Sequence, residues 1–236
     1  TYSVSTSAET PTVVTNDATG VEETNATLHG TLSDDGGGTC TVRFEYGTTI
    51  SYGTNTSNQT KTSGQTFSTS ISGLTSGDLY HFRAYANNTV GSDTGVDKTF
   101  FTKPQAPTSL TETGSTSTSL SYSWTKATVG SDATAYTRIQ YKTTSYPTSI
   151  NDGTNTYNST GTTDDTLSLT PGTHYYFSAW TWGTEGGIGA WSDNYDTMDA
   201  WTNPGDPTSV DSTEGTSWIN ITFTHGTNGE YTMVRR

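Results

Sequence analysis

The side chains that most often do chemistry are scattered along this sequence. His29, His81, His174 and His225 stand far apart, and none keeps a spacing that would bring two imidazoles onto one metal. Asp34, Asp35, Asp152, Asp164, Asp165 and Asp193 offer the oxygen ligands that calcium takes from flexible loops. They follow neither the EF-hand nor the nonapeptide pattern, however, and aspartate beside glycine is ordinary turn composition. Cys40 is the single cysteine, which excludes an internal disulfide. In "CTVRFEY" it shares a strand face with Val42, Phe44 and Tyr46, so it reads as a small buried hydrophobe rather than a reactive thiol. No serine elbow, glycosidase carboxylate pair or phosphate loop is present, so neither catalysis nor a cofactor is expected.

Two kinds of contact chemistry remain. Six Asn-X-Ser/Thr sequons stand at Asn25, Asn55, Asn58, Asn87, Asn158 and Asn220, each an acceptor for N-linked sugar in a host that attaches it. Asn55, Asn58 and Asn158 fall in expected loops, while Asn25 and Asn87 lie near strand ends. In a chain so rich in Asn, Ser and Thr, several sequons would arise by chance. The second feature is aromatic. If Tyr175, Phe177 and Ala179 face inward, then Tyr176, Trp180 and Trp182 face out, with Trp191 and Trp201 in flanking segments. Such a row can stack on sugar rings, meet another subunit, or lie under the chain's own loop "GTEGGIGAWSDN".

Composition limits what could position these groups. Of 236 residues 28% are hydrophobic, too few for one large core and better suited to several thin ones. Ser and Thr make up about a third of the chain, and the strong helix formers are scarce, which is strand-and-turn composition. A net charge of −13 with ten basic residues argues against nucleic acid, which needs clustered Lys and Arg. No stretch has the length and apolarity of a membrane span, and the start "TYSVSTSAET" lacks the regions of a signal peptide.

Self-comparison supplies the organisation. "FEYGTTISYGT" from Phe44 aligns with "IQYKTTSYPTS" from Ile139, and "LTSGDLYHFRAYA" from Leu74 with "LTPGTHYYFSAWT" from Leu169, at a common shift of about 95 residues. Short alternating segments between Gly, Asn, Asp and Pro turns recur within each copy, the pattern of a β-sandwich.

These segments resemble the fibronectin type III family, of the tandem kind found in large exported or cell-surface proteins of bacteria and archaea. "ATLHGTL", "CTVRFEYG", "FSTSISGL" and "DKTFFT" match its strands B, C, E and G in the first copy; "SLSYSWT", "TRIQYKT", "TLSLTPG" and "DTMDAWT" do so in the second. The resemblance implies a core of Phe44, Tyr46 and Phe82 in the first copy and of Trp124, Ile139, Tyr141 and Phe177 in the second. It also implies tyrosine corners at Leu74 with Tyr80 and at Leu169 with Tyr175, while Leu28 replaces the strand-B tryptophan in the first copy. The expected fold is all-β, tandem immunoglobulin-like sandwiches arranged as beads on a string. Modules are expected at 10–103 and 104–203. Residues 1–9 read as the last strand of a preceding module or a linker strand, and 204–236 as strands A, B and C of a third.

An incomplete module exposes an edge that its own continuation or a neighbouring subunit would cover. The expected role is therefore non-enzymatic: an extracellular or cell-surface stalk, sheath or filament, adhesive and glycosylated, whose partners are neighbouring modules end to end and covalent glycans or polysaccharide. The competing readings are a spacer or carbohydrate-binding accessory region of a secreted hydrolase, and a virion fibre or decoration protein.

Overall fold

The structure is a computed structural model that describes residues 7–206, together with the backbone of Ser209–Gly215 and Trp218–Thr224. The described residues contain strands and turns but no helix. The first sandwich is built from β1 (Thr12–Thr19), β2 (Asn25–Asp34), β3 (Cys40–Gly47), β4 (Thr54–Asn55), β5 (Gln59–Lys61), β6 (Thr66–Ser72), β7 (Leu79–Asn87), β8 (Ser92–Thr94) and β9 (Lys98–Phe101). One sheet has the order β1-β2-β6. The other has β3 and β7 at its centre, with β4 and β5 on the outer side of β3 and β8 and β9 on the outer side of β7. All pairings are antiparallel.

Alternation decides which residues enter the core. Leu28 and Leu32 from β2 meet Val42 and Phe44 from β3 and Phe82 from β7, all fully buried. Phe67 of β6 reaches Phe44 with ring centroids 4.9 Å apart. Gly30 makes that possible, because a Cβ there would lie 2.7 Å from the Phe67 ring. Leu28 is buried without a polar partner to satisfy. Tyr46 is only partly buried and packs against the core from its margin.

The second sandwich uses β10 (Thr108–Ser115), β11 (Ser119–Thr125), β12 (Thr134–Lys142), β13 (Thr154–Ser159), β14 (Thr163–Leu167), β15 (His174–Glu185), β16 (Ile188–Trp191) and β17 (Asp196–Trp201). Its sheets are β10-β11-β14 and β13-β12-β15-β16, with β17 also on β15. Trp124 is 4% exposed, and its indole Nε1 donates to Thr137 Oγ1 at 3.0 Å. Tyr157 meets it edge-on at 4.8 Å. Tyr122 is fully buried; its hydroxyl donates to Asp164 Oδ2 at 2.9 Å and accepts from Thr166 Oγ1 at 3.1 Å. Burial pushes this phenol far above its ordinary pKa, so it stays neutral. Ile139 and Phe177 are fully buried, while Tyr141 is partly buried against the same cluster.

The two sandwiches are closed by matching hydrogen bonds. The Tyr80 hydroxyl accepts from the Thr75 N–H at 3.0 Å, and the Tyr175 hydroxyl from the Thr170 N–H at 2.9 Å. Leu74 and Leu169 are buried beside them. After the last strand, Thr102 Oγ1 donates to the Thr75 carbonyl at 2.7 Å and accepts from the Asp78 N–H at 2.9 Å. Thr202 repeats this with the Thr170 carbonyl at 2.6 Å and the Thr173 N–H at 3.0 Å. A third pair ties the first strand to the opposite sheet: Asp93 Oδ2 accepts from the Val13 N–H at 2.9 Å and Asp196 Oδ2 from the Leu110 N–H at 2.8 Å.

Backbone packing divides the chain into two compact units. The first takes residues up to Gln105 with Thr128–Ala135 and Trp182–Asp193; the second takes Ala106–Ala127, Tyr136–Thr181 and the residues from Asn194 onward. Two segments expected in the second repeat are thus counted with the first unit. Within it, Lys103 Nζ lies 2.7 Å from Glu22 and 2.8 Å from Asp193, and Gly183 backs onto the Phe101 ring. Beyond the sandwiches, β18 (Ser209–Gly215) and β19 (Trp218–Thr224) pair antiparallel, with Val210 opposite Phe223. Of the segments expected as a preceding module's strand (1–9) and as strands A, B and C of a third module (204–236), residues 1–6 and 225–236 lie outside the described residues.

Candidate interaction surfaces

Among the described residues, no group of three or more His, Cys, Asp or Glu side chains is placed to hold a metal ion. Cys40 is 1% exposed, with Sγ near the carbonyls of Asp35 and Gly38. Burial, and then the charges of Asp35 and Asp34, push its thiol pKa up, which keeps the nucleophilic thiolate scarce. His29 sits 2.8 Å from Thr19 Oγ1. His225 lies outside the described residues.

The remaining two histidines belong to a constellation that recurs in both sandwiches. Tyr52, in the turn after β3, donates its hydroxyl to Asp97 Oδ1 at 3.1 Å, and His81 Nδ1 lies 2.8 Å from Asp97 Oδ2. Tyr146, in the turn after β12, donates to Asp199 Oδ1 at 2.7 Å, and His174 Nε2 lies 2.7 Å from Asp199 Oδ2. Each carboxylate engages one oxygen with the phenol and the other with the imidazole, which fastens the turn to β7 and the residue before β9 in the first sandwich, and to β15 and β17 in the second. The bonds from Tyr146 and then His174 hold the Asp199 carboxyl below its ordinary range.

The expected aromatic row separates into three environments. Trp180 is 3% exposed and does not face solvent, contrary to the alternation argument. Both faces of β15 are covered at this point. Ser178 Oγ donates to the Pro147 carbonyl at 2.8 Å, Gln140 donates to the Ile150 carbonyl, and Tyr195 packs on Trp180 at 5.0 Å. The turn after β12 and the segment before β17 thus form a lid that alternation cannot register. Trp182 and Trp191 are partly buried cross-strand neighbours, 5.2 Å apart. Only Tyr176 and Trp201 remain in a surface cluster, joined by His174. The His174 ring stacks on Trp201 at 4.6 Å with planes 7° apart and touches Tyr176 at 4.4 Å. Tyr146 meets Tyr176 edge-on at 5.1 Å, and Trp201 is 60% exposed.

The matching face of the first sandwich is charged. Glu45 accepts from Arg43 Nη2 at 2.8 Å and from Arg83 through Nε at 2.9 Å and Nη2 at 2.8 Å. Arg43 lies over the Tyr85 ring at 3.7 Å and Arg83 over Tyr52 at 4.6 Å. Burial alone would raise the Glu45 carboxyl; the hydrogen bonds from Arg83 and Arg43 outweigh it and hold the pKa below its ordinary value. At the end of this ladder lies an open cup of about 360 Å³, lined by Glu45, Ile50, Ser51, Tyr52, Gly53, Asn55 and Arg83.

The sequon asparagines Asn25, Asn55, Asn58, Asn87 and Asn158 are all exposed, and the side chain of Asn220 lies outside the described residues. Exposure therefore does not rank them. Asn25, Asn55, Asn87 and Asn158 are held in ladders opposite Ser72, Glu45, Ser92 and Arg138, so Asn55 in β4 and Asn158 in β13 do not lie in the loops expected of them, because the chain beyond β3 and β12 folds back to pair with those strands. Asn58 lies between the end of β4 and β5, and Thr27 of the first sequon shares a hydrogen bond with Ser70.

No protein-family model matches the chain, and no curated protein matches it. Among solved structures it is similar to the FN1-FN3 domains of chicken CNTN1, with 15% identity and a TM-score of 0.38 over 82% of this chain and 68% of that one. It is also similar to a two fibronectin type III domain segment from chicken tenascin, with 16% identity and a TM-score of 0.42 over 82% of this chain and 100% of that one. Likeness at these scores decides nothing by itself. The ladder order does: β1, β2 and β6 are set against β3, β7 and β9 in the first sandwich, and β10, β11 and β14 against β12, β15 and β17 in the second. The chain is a tandem of immunoglobulin-like β-sandwiches.

Proposed function

We propose that this chain is a structural, non-enzymatic segment of an extracellular or cell-surface protein, whose sandwich modules serve as a stalk, sheath or filament. The observation that carries the reading is the duplicated closure. The Thr102 and Thr202 pins, with the Tyr80 and Tyr175 corners, stabilise two separate cores. Such modules supply length and spacing, and Pro-containing connections such as "TKPQAPTS" limit the conformations available between them. The acidic, Ser/Thr-rich outer surface keeps a long array soluble. Negative-stain imaging of native material is the test: rods or filaments of regular diameter are expected, and dispersed single particles under native conditions would sink the reading.

A second reading, a spacer that also binds polysaccharide, draws on one observation. Trp201 presents an exposed indole braced by His174, a rigid face of the kind that stacks on sugar rings.

A further inference from the structure

We propose that Asn55 is an N-glycosylation acceptor whose first sugar is seated in the cup formed by Ile50, Tyr52, Gly53 and Arg83. The inference rests on the extracellular reading, since a sequon is used only where the chain meets a glycosylating pathway.

Three observations bear on Asn55, of which its place in the cup sets it apart from the other exposed sequons. The first is its face. Asn55 pairs with Glu45 across the ladder, and directly opposed residues share a side of the sheet. Its amide therefore stands on the outer face with Glu45 and Arg83, and it lines the 360 Å³ cup. The second is the backbone. Thr56 is pinned to Phe44 from both sides: its N–H donates to the Phe44 carbonyl at 2.9 Å, and its Oγ1 accepts from the Phe44 N–H at 2.9 Å. After Thr56 the chain leaves the ladder until Gln59, so Ser57, the hydroxyl residue of the sequon, is exposed outside regular structure.

The third is the wall of the cup. Tyr52 holds a left-handed backbone conformation, φ 58°, which is rare for an aromatic residue. It is kept there by the Asp97 carboxylate, by Arg83 beneath its ring and by its N–H to the Thr49 carbonyl at 2.9 Å. Gly47 permits the turn, because a Cβ there would stand 1.5 Å from the Tyr52 carbonyl oxygen. Beside Tyr52, Ile50 is 71% exposed, an apolar side chain on a rim otherwise polar. A pyranose has one face of C–H groups that suits Ile50 and Tyr52, and hydroxyls that suit Ser51, Glu45 and Arg83. Covalent attachment at Asn55 identifies the occupant. In the attachment step the Asn55 Nδ2 forms a bond to the anomeric carbon of a lipid pyrophosphate-linked sugar. The anomeric C–O bond breaks, the pyrophosphate lipid leaves with the electron pair, and the amide proton passes to a base of the transferase.

The test is fragment-ion mass spectrometry on protein purified from its native source. A glycan mass located on Asn55, and absent from the Asn55→Gln protein, supports the proposal. A bare Asn55, including the case in which only Asn58 is modified, overturns it. The cup is tested by enzymatic trimming of the glycan, which should lower the Tm by about 3 °C. Ile50→Ser, at a side chain with little structural role, should abolish most of that fall at unchanged occupancy. An unchanged fall in Ile50→Ser overturns the seating. Filaments with a bare Asn55 would remove this proposal and leave the array intact; single particles with a glycosylated Asn55 would do the reverse.

Discussion

The two sandwiches share their closures almost bond for bond, yet their outer faces have different chemistry. Thr102 and Thr202 make the same two hydrogen bonds, and Asp93 and Asp196 each hold a backbone N–H near the start of the first strand. On the outer face, Glu45 binds two arginines, while the residue aligned with it, Gln140, is 1% exposed beneath its own turn. The frame is what the fold requires of both copies. The outer face is free to differ because the core does not depend on it.

The comparison is broken most forcefully at the cores. Trp124→Ala removes an indole, its hydrogen bond to Thr137 and its contact with Tyr157, and should cost the second sandwich about 4 kcal/mol. Leu28→Ala leaves an apolar void without a lost polar partner and should cost the first about 3 kcal/mol. Amide hydrogen exchange should show lost protection in β11, β12 and β15 for the former and in β2, β3 and β7 for the latter. Equal loss in both sandwiches from either change would mean that the cores are not independent.

The closures come next. Thr102→Val and Thr202→Val each remove two part-buried hydrogen bonds made by a buried side chain, with an expected loss of about 2 kcal/mol in urea denaturation. The informative quantity is the difference between them, which should be small. A large cost at one site and none at the other would show that the matching geometry does not carry matching energy.

Much of this frame was legible beforehand, because two periodicities coincide: strict alternation within strands and a shift of about 95 residues between copies. The corners were legible because Leu74 with Tyr80 and Leu169 with Tyr175 sit inside the repeat itself. The Asp93 and Asp196 clamps and the two Tyr-Asp-His trios were not, because they join residues far apart in sequence through single side chains. The threonine pins left a faint signal, since "TFFT" and "DAWT" both end in Thr. Trp180 shows where alternation fails. It states which side of β15 a residue occupies, but not that Pro147 and Tyr195 will cover that side.

A surface change should separate binding from stability. Trp201→Ala removes a side chain that is 60% exposed, and the second sandwich should lose under about 0.5 kcal/mol. If the exposed indole stacks on sugar, retention on a polysaccharide column should fall severalfold in the same protein. Retention that is absent or unchanged would remove the second reading and leave Trp201 as a brace for His174.

The last contrast concerns pH and exploits the Glu45 and Gln140 pair directly. Glu45 has a folded pKa below its ordinary 4.5, the balance of burial against the Arg83 and Arg43 hydrogen bonds. A carboxyl depressed on folding stabilises the native state fully above its unfolded pKa, and that contribution is lost as pH falls through the lower, folded value. The first sandwich should therefore weaken from about pH 4.5 downward through this group. Glu45→Gln should flatten that part of its acid profile, at a cost near neutral pH of about 1 kcal/mol, since the ladder is within reach of solvent. The second sandwich already has a neutral amide at the aligned position, so its profile should not move. If Glu45→Gln left the first profile unchanged, the arginine ladder would be a surface arrangement with no energetic part in folding, and the contrast between the two faces would be one of shape alone.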